Sequence, residues 1–301
     1  MKRFFASLVL FFLLAGLPVL LTRGSAEAPV PGNAEAGNHR EEPETESAGE
    51  TDESGEPVLV HDYKAFSIGF QGLSMDEVYG NVLLFSFTNQ LDESLMISVD
   101  YLLMDGVMAE PFFADRIEPG ETRTSQIVVE STAQYMKNWE LTEVVVDLWV
   151  YLPEKLYEGD LFHVEVRFLP KGESGARKWQ REKRESDILL LDNSFVRMQV
   201  VNAERGNGND LRLILFTEGK NDRDLLVRIE RIWLNGKPFE TYYAGKCKGI
   251  SSAFSSVVIP GGLMELIGRP GMNQLRMAIE YMERDGQKVR TLKRETVTFS
   301  M

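Results

Sequence analysis

The sequence predicts an all-β protein: two tandem antiparallel β-sandwich domains behind a signal or anchor segment and a disordered acidic stalk. Three observations predict it. The chain repeats itself at an offset of about 130 residues, both copies alternate apolar and polar residues at the strand period, and Asp-Gly or Asn-Gly turns recur at the same place in each. Residues 82–113, VLLFSFTNQLDESLMISVDYLLMDGVMAEPFF, match residues 211–243, LRLILFTEGKNDRDLLVRIERIWLNGKPFETYY. Phe87-Thr88 falls on Phe216-Thr217, with one residue of slippage in the loop that follows. Leu95-Met96-Ile97 falls on Leu225-Leu226-Val227, Asp105-Gly106 on Asn235-Gly236, and Phe112-Phe113 on Tyr242-Tyr243. A repeat this long is a duplicated domain, since solenoid units run to roughly 20–50 residues.

Residues 1–26 read as a signal peptide or an N-terminal membrane anchor. Lys2 and Arg3 precede the uncharged apolar run Phe4–Leu21, and the small residues Gly24-Ser25-Ala26 follow. Cleavage is expected after Ala26; an uncleaved run would be just long enough to cross the hydrocarbon layer. Either outcome places the rest of the protein outside the cytoplasm, secreted or on the outer face of the cell membrane. No cysteine follows the apolar run, so lipid attachment is not expected. Cys247 is the only cysteine, which leaves no intramolecular disulfide and fits a bacterial envelope.

Residues 27–57 form the acidic stalk. From Pro29 onward Arg40 is the only basic residue against nine Asp and Glu, a composition whose charges repel and whose apolar content is too small to fold. Residues 29–57 carry −8 of the formal net charge of −13, which leaves −5 for everything else. A mildly acidic body has no clustered basic face, so no nucleic-acid partner is expected.

Residues 58–170 form the first sandwich. Val82–Thr88, Met96–Leu103, Gln126–Glu130, Glu143–Tyr151 and Leu161–Phe168 read as strands, with Asp105-Gly106 and Pro119-Gly120 as turns. Ser131–Lys137 reads as one or two helical turns with a Ser/Thr cap. Residues 171–189 read as a mixed-charge linker containing one aromatic, Trp179, either a short helix or solvated. The second sandwich, residues 190–301, repeats the order with Val257–Ile259, Gln274–Met282 and Glu295–Phe299 as strands. Asp285-Gly286 gives a further hairpin, and Gly261–Ile267 a helical turn. About seven short strands per copy is the size of an immunoglobulin-like sandwich without its disulfide.

Chemistry-bearing residues are sparse. Of the three histidines, His39 falls in the stalk, His61 at a domain edge, and His163 in an alternating strand with no nucleophile-elbow motif to pair with. Cys247 lies between Lys246 and Lys248, whose charges would favour thiolate. In a strand those lysines point to alternate sides, which weakens the effect, and the first copy has no equivalent thiol. The loops Asp92-Glu93 and Asn221–Asp224 carry acids but lack a calcium-loop spacing, and Arg223 brings a competing cation. Gly206-Asn207-Gly208 has neither the lysine nor the helix of a phosphate cradle. No catalytic residue, metal or cofactor is assigned. Trp149 and Trp233 are expected in the cores. Trp139, Tyr242 and Tyr243 are the candidate binding residues, and one member of each aromatic pair should point outward, because neighbours in a strand face opposite sides.

Asn89/Asp92, the strand Ile97–Leu103, Asp105-Gly106, Phe112-Phe113 and Pro119-Gly120 occur in a succession that resembles small immunoglobulin-like repeats in uncharacterised exported proteins of Gram-positive, clostridia-like bacteria. The resemblance covers residues 65–170 and 190–301 and implies a fold and a location. The second copy departs from it after Tyr243, where Gly249-Ile250-Ser251 replaces Pro119-Gly120-Glu121. The expected function is therefore a non-enzymatic exported or cell-envelope protein whose tandem modules act as binding or spacer domains. Its partner would be a protein or glycan at the cell surface, with membrane contact only through an uncleaved N-terminal segment. The alternative is a carbohydrate-binding or substrate-capturing accessory protein, with Trp139, Tyr242 or Tyr243 stacking on sugar rings.

Overall fold

A computed structural model describes residues 45–51, 57–155, 162–206, 209–262, 274–285 and 288–300. All of them fall in one unit, residues 39–301. The proposed signal or anchor, Gly286 of the Asp-Gly turn at 285 and most of the helical turn expected at 261–267 lie outside the described residues. No helix among the described residues is long and apolar enough to cross a membrane.

The fold is all-β. In chain order the first half contains β1 (Thr45–Thr51), β2 (Pro57–Asp62), β3 (Phe66–Asp76), β4 (Gly80–Asn89), β5 (Leu95–Met104), β6 (Val107–Ala109), β7 (Ala114–Ile117), β8 (Thr122–Val128), β9 (Val144–Tyr151) and β10 (Phe162–Phe168). A single helical turn, α1 (Glu130–Ala133), follows β8. The second half contains β11 (Ile188–Asp192), β12 (Val196–Arg205), β13 (Leu211–Gly219), β14 (Asp224–Leu234), β15 (Lys237–Lys248), β16 (Ser252–Ile259), β17 (Leu275–Asp285) and β18 (Lys288–Phe299). They form three sheets. One runs β1-β2-β3-β4-β8, another β15-β14-β17-β18, and the third is nine-stranded, β10-β9-β5-β6-β16-β13-β12-β11 with β7 beside β5.

The middle sheet serves both halves. Its first-half strands pack on β2-β3-β4-β8 around Phe66, Phe85, Phe87, Leu102, Val146 and Phe168. Its second-half strands pack on β14 and β17 around Met198, Leu213, Ile229, Val257 and Tyr281. Alternation places these residues inward, and each fully buried Phe contributes roughly 1.5–3 kcal/mol by leaving water. The halves join where β6 pairs in parallel with β16, through Ser252↔Val107 and Ala253↔Met108. The other ladders are antiparallel.

The duplication is more regular than the sequence match. Phe66↔Asn89 becomes Val196↔Gly219, Ile68↔Phe87 becomes Met198↔Thr217, and the bulge at Gln71 recurs at Val201. The bulge at Asp100 recurs at Glu230. The offset of 130 therefore holds through the first loop without slippage. Phe87 corresponds to Thr217, not to Phe216, whose ring leaves the second core altogether. The turns match closely: Asp105 and Gly106 have φ of 49° and 79°, as do Asn235 and Gly236. Two positive φ values in succession are the type I′ geometry that suits the twist of a hairpin.

Three expectations need correction. Thr45–Thr51, assigned to the disordered stalk, is an edge strand on β2; ladder bonds use backbone groups, which side-chain composition does not reveal. Trp149 and Trp233 are not core residues. Leu148, Val150, Ile232 and Leu234 take the inward positions, leaving both tryptophans on outer faces. There Trp149 packs on His163 (centroids 4.6 Å apart), and the Arg276 guanidinium lies 4.3 Å from the Trp233 ring. The helical turn is present, but its N-cap is Val129, with no side-chain cap.

Candidate functional site at the seam between the two sandwiches

The linker is not a solvated spacer. After a single 3-10 turn at Glu173–Gly175 it continues without helix or strand, and Trp179 packs against both the first core and the apolar cluster between the halves. Its backbone N–H donates to the Asp105 carbonyl at 2.8 Å. Beyond it, Arg181 makes two bonds of 2.6 Å to Asp187, a pair almost withdrawn from solvent. Arg181 and the backbone N–H of Arg184 hold the Asp187 carboxyl below the usual range. Neutralised internally in this way, the charged linker can lie on apolar surface, which composition alone does not show.

Phe216 is the second half's contribution. Displaced from its own core, it packs with Ile214, Val201, Phe254, Tyr135 and Trp179; its centroid lies 4.8 Å from Phe254. A second, smaller cluster of Tyr101, Met108 and Ala253 also spans the halves, and charged contacts lie beside it. Lys246 reaches Asp100 at 3.0 Å, and Lys248 reaches Glu165 at 2.7 Å while lying 4.0 Å from the centroid of the Tyr101 ring. Partly exposed pairs of this kind contribute at most about 1 kcal/mol each, so the apolar cluster dominates the junction.

A cleft of about 240 Å³ opens at the seam. One wall is Met108 and Glu110 with Ser131, Thr132, Gln134 and Tyr135; the other is Ala244–Lys246 and Ala253–Ser256, with Arg212 and Ile214. Ser255 on this wall meets Tyr243 of the second core, their hydroxyls 2.5 Å apart, which ties β15 to β16. Burial pushes the Tyr243 hydroxyl up to about 12, so it stays protonated. Gly245 leaves room for that hydroxyl, since a Cβ there would lie 2.5 Å from it.

The predicted binding residues divide. Tyr243 is buried in the second core, behind the cleft wall. Trp139 is half-buried against the first core, its indole N–H donated to Asp105 at 2.6 Å. Tyr243 therefore offers no open ring face as a sugar platform. The side chain of Tyr242 lies outside the description. Of the first pair, Phe113 packs on the core and Phe112 is 93% exposed, following the expected alternation.

The remaining candidates have structural surroundings. Lys246 and Lys248 both point away from the Cys247 thiol, toward the first half. The thiol is buried on Ser251, and burial pushes its pKa up. His61 is inside rather than at an edge, bonded to the Arg167 carbonyl at 3.0 Å. His163 is half-exposed and lies 3.0 Å from Asp147. Burial raises the Asp147 carboxyl from 3.8 to about 6, and His163 lowers it in part. In the acidic loops, Asn89 and Asn221 spend their side-chain oxygens on the backbone N–H of Leu91 and Arg223. Among the described residues no group of three or more His, Cys, Asp or Glu is placed to hold a metal ion.

No family model and no curated protein matches the chain. Among solved structures, the YadV chaperone is similar at 11% identity and a TM-score of 0.21, over 72% of this chain and 92% of that one. A mutant of Bacillus subtilis oxalate decarboxylase OxdC is similar at 10% identity and a TM-score of 0.11, over 91% and 89%. Likeness at this level carries no argument.

Proposed function

We propose that the chain is an exported, non-enzymatic protein of the cell envelope whose two sandwiches act as one rigid binding element, with the partner engaged at the seam. One observation carries the reading: the cleft is built from both halves. Its walls belong to elements that the sheet join, Trp179 and the apolar cluster hold together. A spacer needs no such join, because independent modules on a loose linker reach further. Residues 1–26 support the exported placement, and residues 27–44 act as the tether to the body.

Two measurements test the reading. Protease added to intact cells expressing the full chain is expected to digest the body; protection until lysis overturns the exported placement. A photo-crosslinking side chain at Ser131, on the cleft wall, should form an adduct at the cell surface. The same probe at Arg205, exposed at the end of β12, should not. Equal adducts at both positions would remove the seam as the site.

A further inference from the structure

We infer that the seam cleft takes an extended peptide segment of a partner protein, which adds as a strand to the free edge of β16. This deepens the seam-binding reading and rests on it. The parity of β16 is fixed at two points. The Ser252 N–H donates toward the first half, to the Gly106 carbonyl at 2.9 Å, whereas the Ser251 carbonyl accepts from Gly219 on β13. With no register shift along the β13–β16 ladder, the backbone groups of Phe254, Ser256 and Val258 also point toward the first half. The pairing with β6 covers Ser252 and Ala253; because the groups of Ala253 face β13, its bridge to Met108 is closed by the Ser252 carbonyl and the Phe254 N–H. Beyond Ala109 the first-half chain turns away at Glu110-Pro111, and among the described residues no strand pairs with that side of β16 from Ser255 to Ile259.

The vacated lane opens into the cleft. Its walls carry short side chains, Ser131, Thr132, Ala244, Gly245, Ser255 and Ser256, which leave room for another backbone. At about 240 Å³ the space is below the roughly 300–1,000 Å³ usual for small-molecule pockets, yet it is open-ended along a sheet edge. Strand addition draws affinity from main-chain bonds and specificity from alternate side chains. Charge selects the guest. Arg212 stands exposed on the cleft wall and makes no ion pair among the described residues, whereas Lys246 is already held by Asp100. The fitting segment is therefore extended, with small residues facing the cleft and a carboxylate placed for Arg212.

The test pans a display library of random twelve-residue peptides against the full chain, then measures Kd for the enriched peptide with two variants. Ser256→Pro removes a donor on the free side and leaves the β13 ladder intact, the edge placement that proline tolerates in a strand. Arg212→Glu reverses the selecting charge. Strand addition predicts that each weakens binding about tenfold or more, and that bound peptide slows amide exchange at Ser256 and Val258. Circular dichroism of Ser256→Pro checks that its fold is kept. Loss with Arg212→Glu but unchanged affinity and exchange with Ser256→Pro overturns strand addition and keeps the seam site. Indifference to both variants, or no enrichment, overturns strand addition and counts against the seam itself. Concentration-dependent dimerisation that Ser256→Pro abolishes would assign the edge to a second copy and likewise overturn the proposal.

Discussion

The Asp105 carboxylate accepts the Trp139 indole N–H at 2.6 Å from within a hairpin turn, so a turn residue anchors a tryptophan 34 positions away. The other carboxylate oxygen takes the backbone N–H groups of Thr142 and Glu143 and the Thr142 hydroxyl. In the second copy Asn235 fills the same turn, and its side-chain oxygen takes one backbone bond, from Gln274 at 3.2 Å. The two positions should therefore respond differently. Asp105→Ala strands several buried donors and is expected to cost about 3–5 kcal/mol, with a shift in tryptophan emission. Asn235→Ala should cost about 1 kcal/mol, and equal losses in urea melts would contradict the difference.

Trp179 holds the halves together. Trp179→Ala removes a large side chain from the contact between the first core and the seam cluster, at a cost of about 3–5 kcal/mol. The qualitative signature is separation of one unfolding transition into two in scanning calorimetry. A single transition at lower temperature would mean that the sheet join alone couples the halves.

Asp147 gives the body a pH dependence. Its folded pKa, about 6, lies above the unfolded value near 3.8, so between those pH values the folded state binds more protons. Stability from this residue is present at low pH and is lost as pH rises through about 6. Asp147→Asn should raise stability at pH 8 by about 1–2 kcal/mol and flatten the slope between pH 4 and 6. A variant whose pH profile parallels the wild type would show that the raised carboxyl is not the source.

Gly245 should not accept a side chain. Gly245→Ala drives its methyl group into the Tyr243 hydroxyl and should cost about 1–3 kcal/mol. In Gly245→Ala/Tyr243→Phe the nearest ring atom would be 3.1 Å away, so part of the loss should return. Additive losses in the double-mutant cycle would rule out that contact as the cause.

What the sequence disclosed follows the range of the forces involved. The Asp105-Gly106 and Asn235-Gly236 turns were legible because positive φ is a local demand met by few residues. The inward alternation of β5 and β14 was legible for a similar reason. Phe216 was misaligned because identity pulled it onto Phe87, whereas its position is set by Trp179 and Phe254 in the other elements of the seam. Trp149 and Trp233 were misassigned because their outer-face partners, His163 and Arg276, lie on neighbouring strands. The cleft was not legible, because its walls, Ser131–Tyr135 on one side and Ala244–Lys246 with Ala253–Ser256 on the other, meet only in the fold. The free edge of β16 depends on where β6 stops, a tertiary fact that no window of residues contains.

The parallel join of β6 to β16 links residues well over a hundred positions apart. A chain made from its N-terminus forms the first sandwich while the partner of β6 has yet to be synthesised. For that interval Val107–Ala109 is a bare strand edge, open to the wrong neighbour. Closing the seam is therefore expected to be the last and slowest step of folding, and the step at which a crowded compartment first exacts losses.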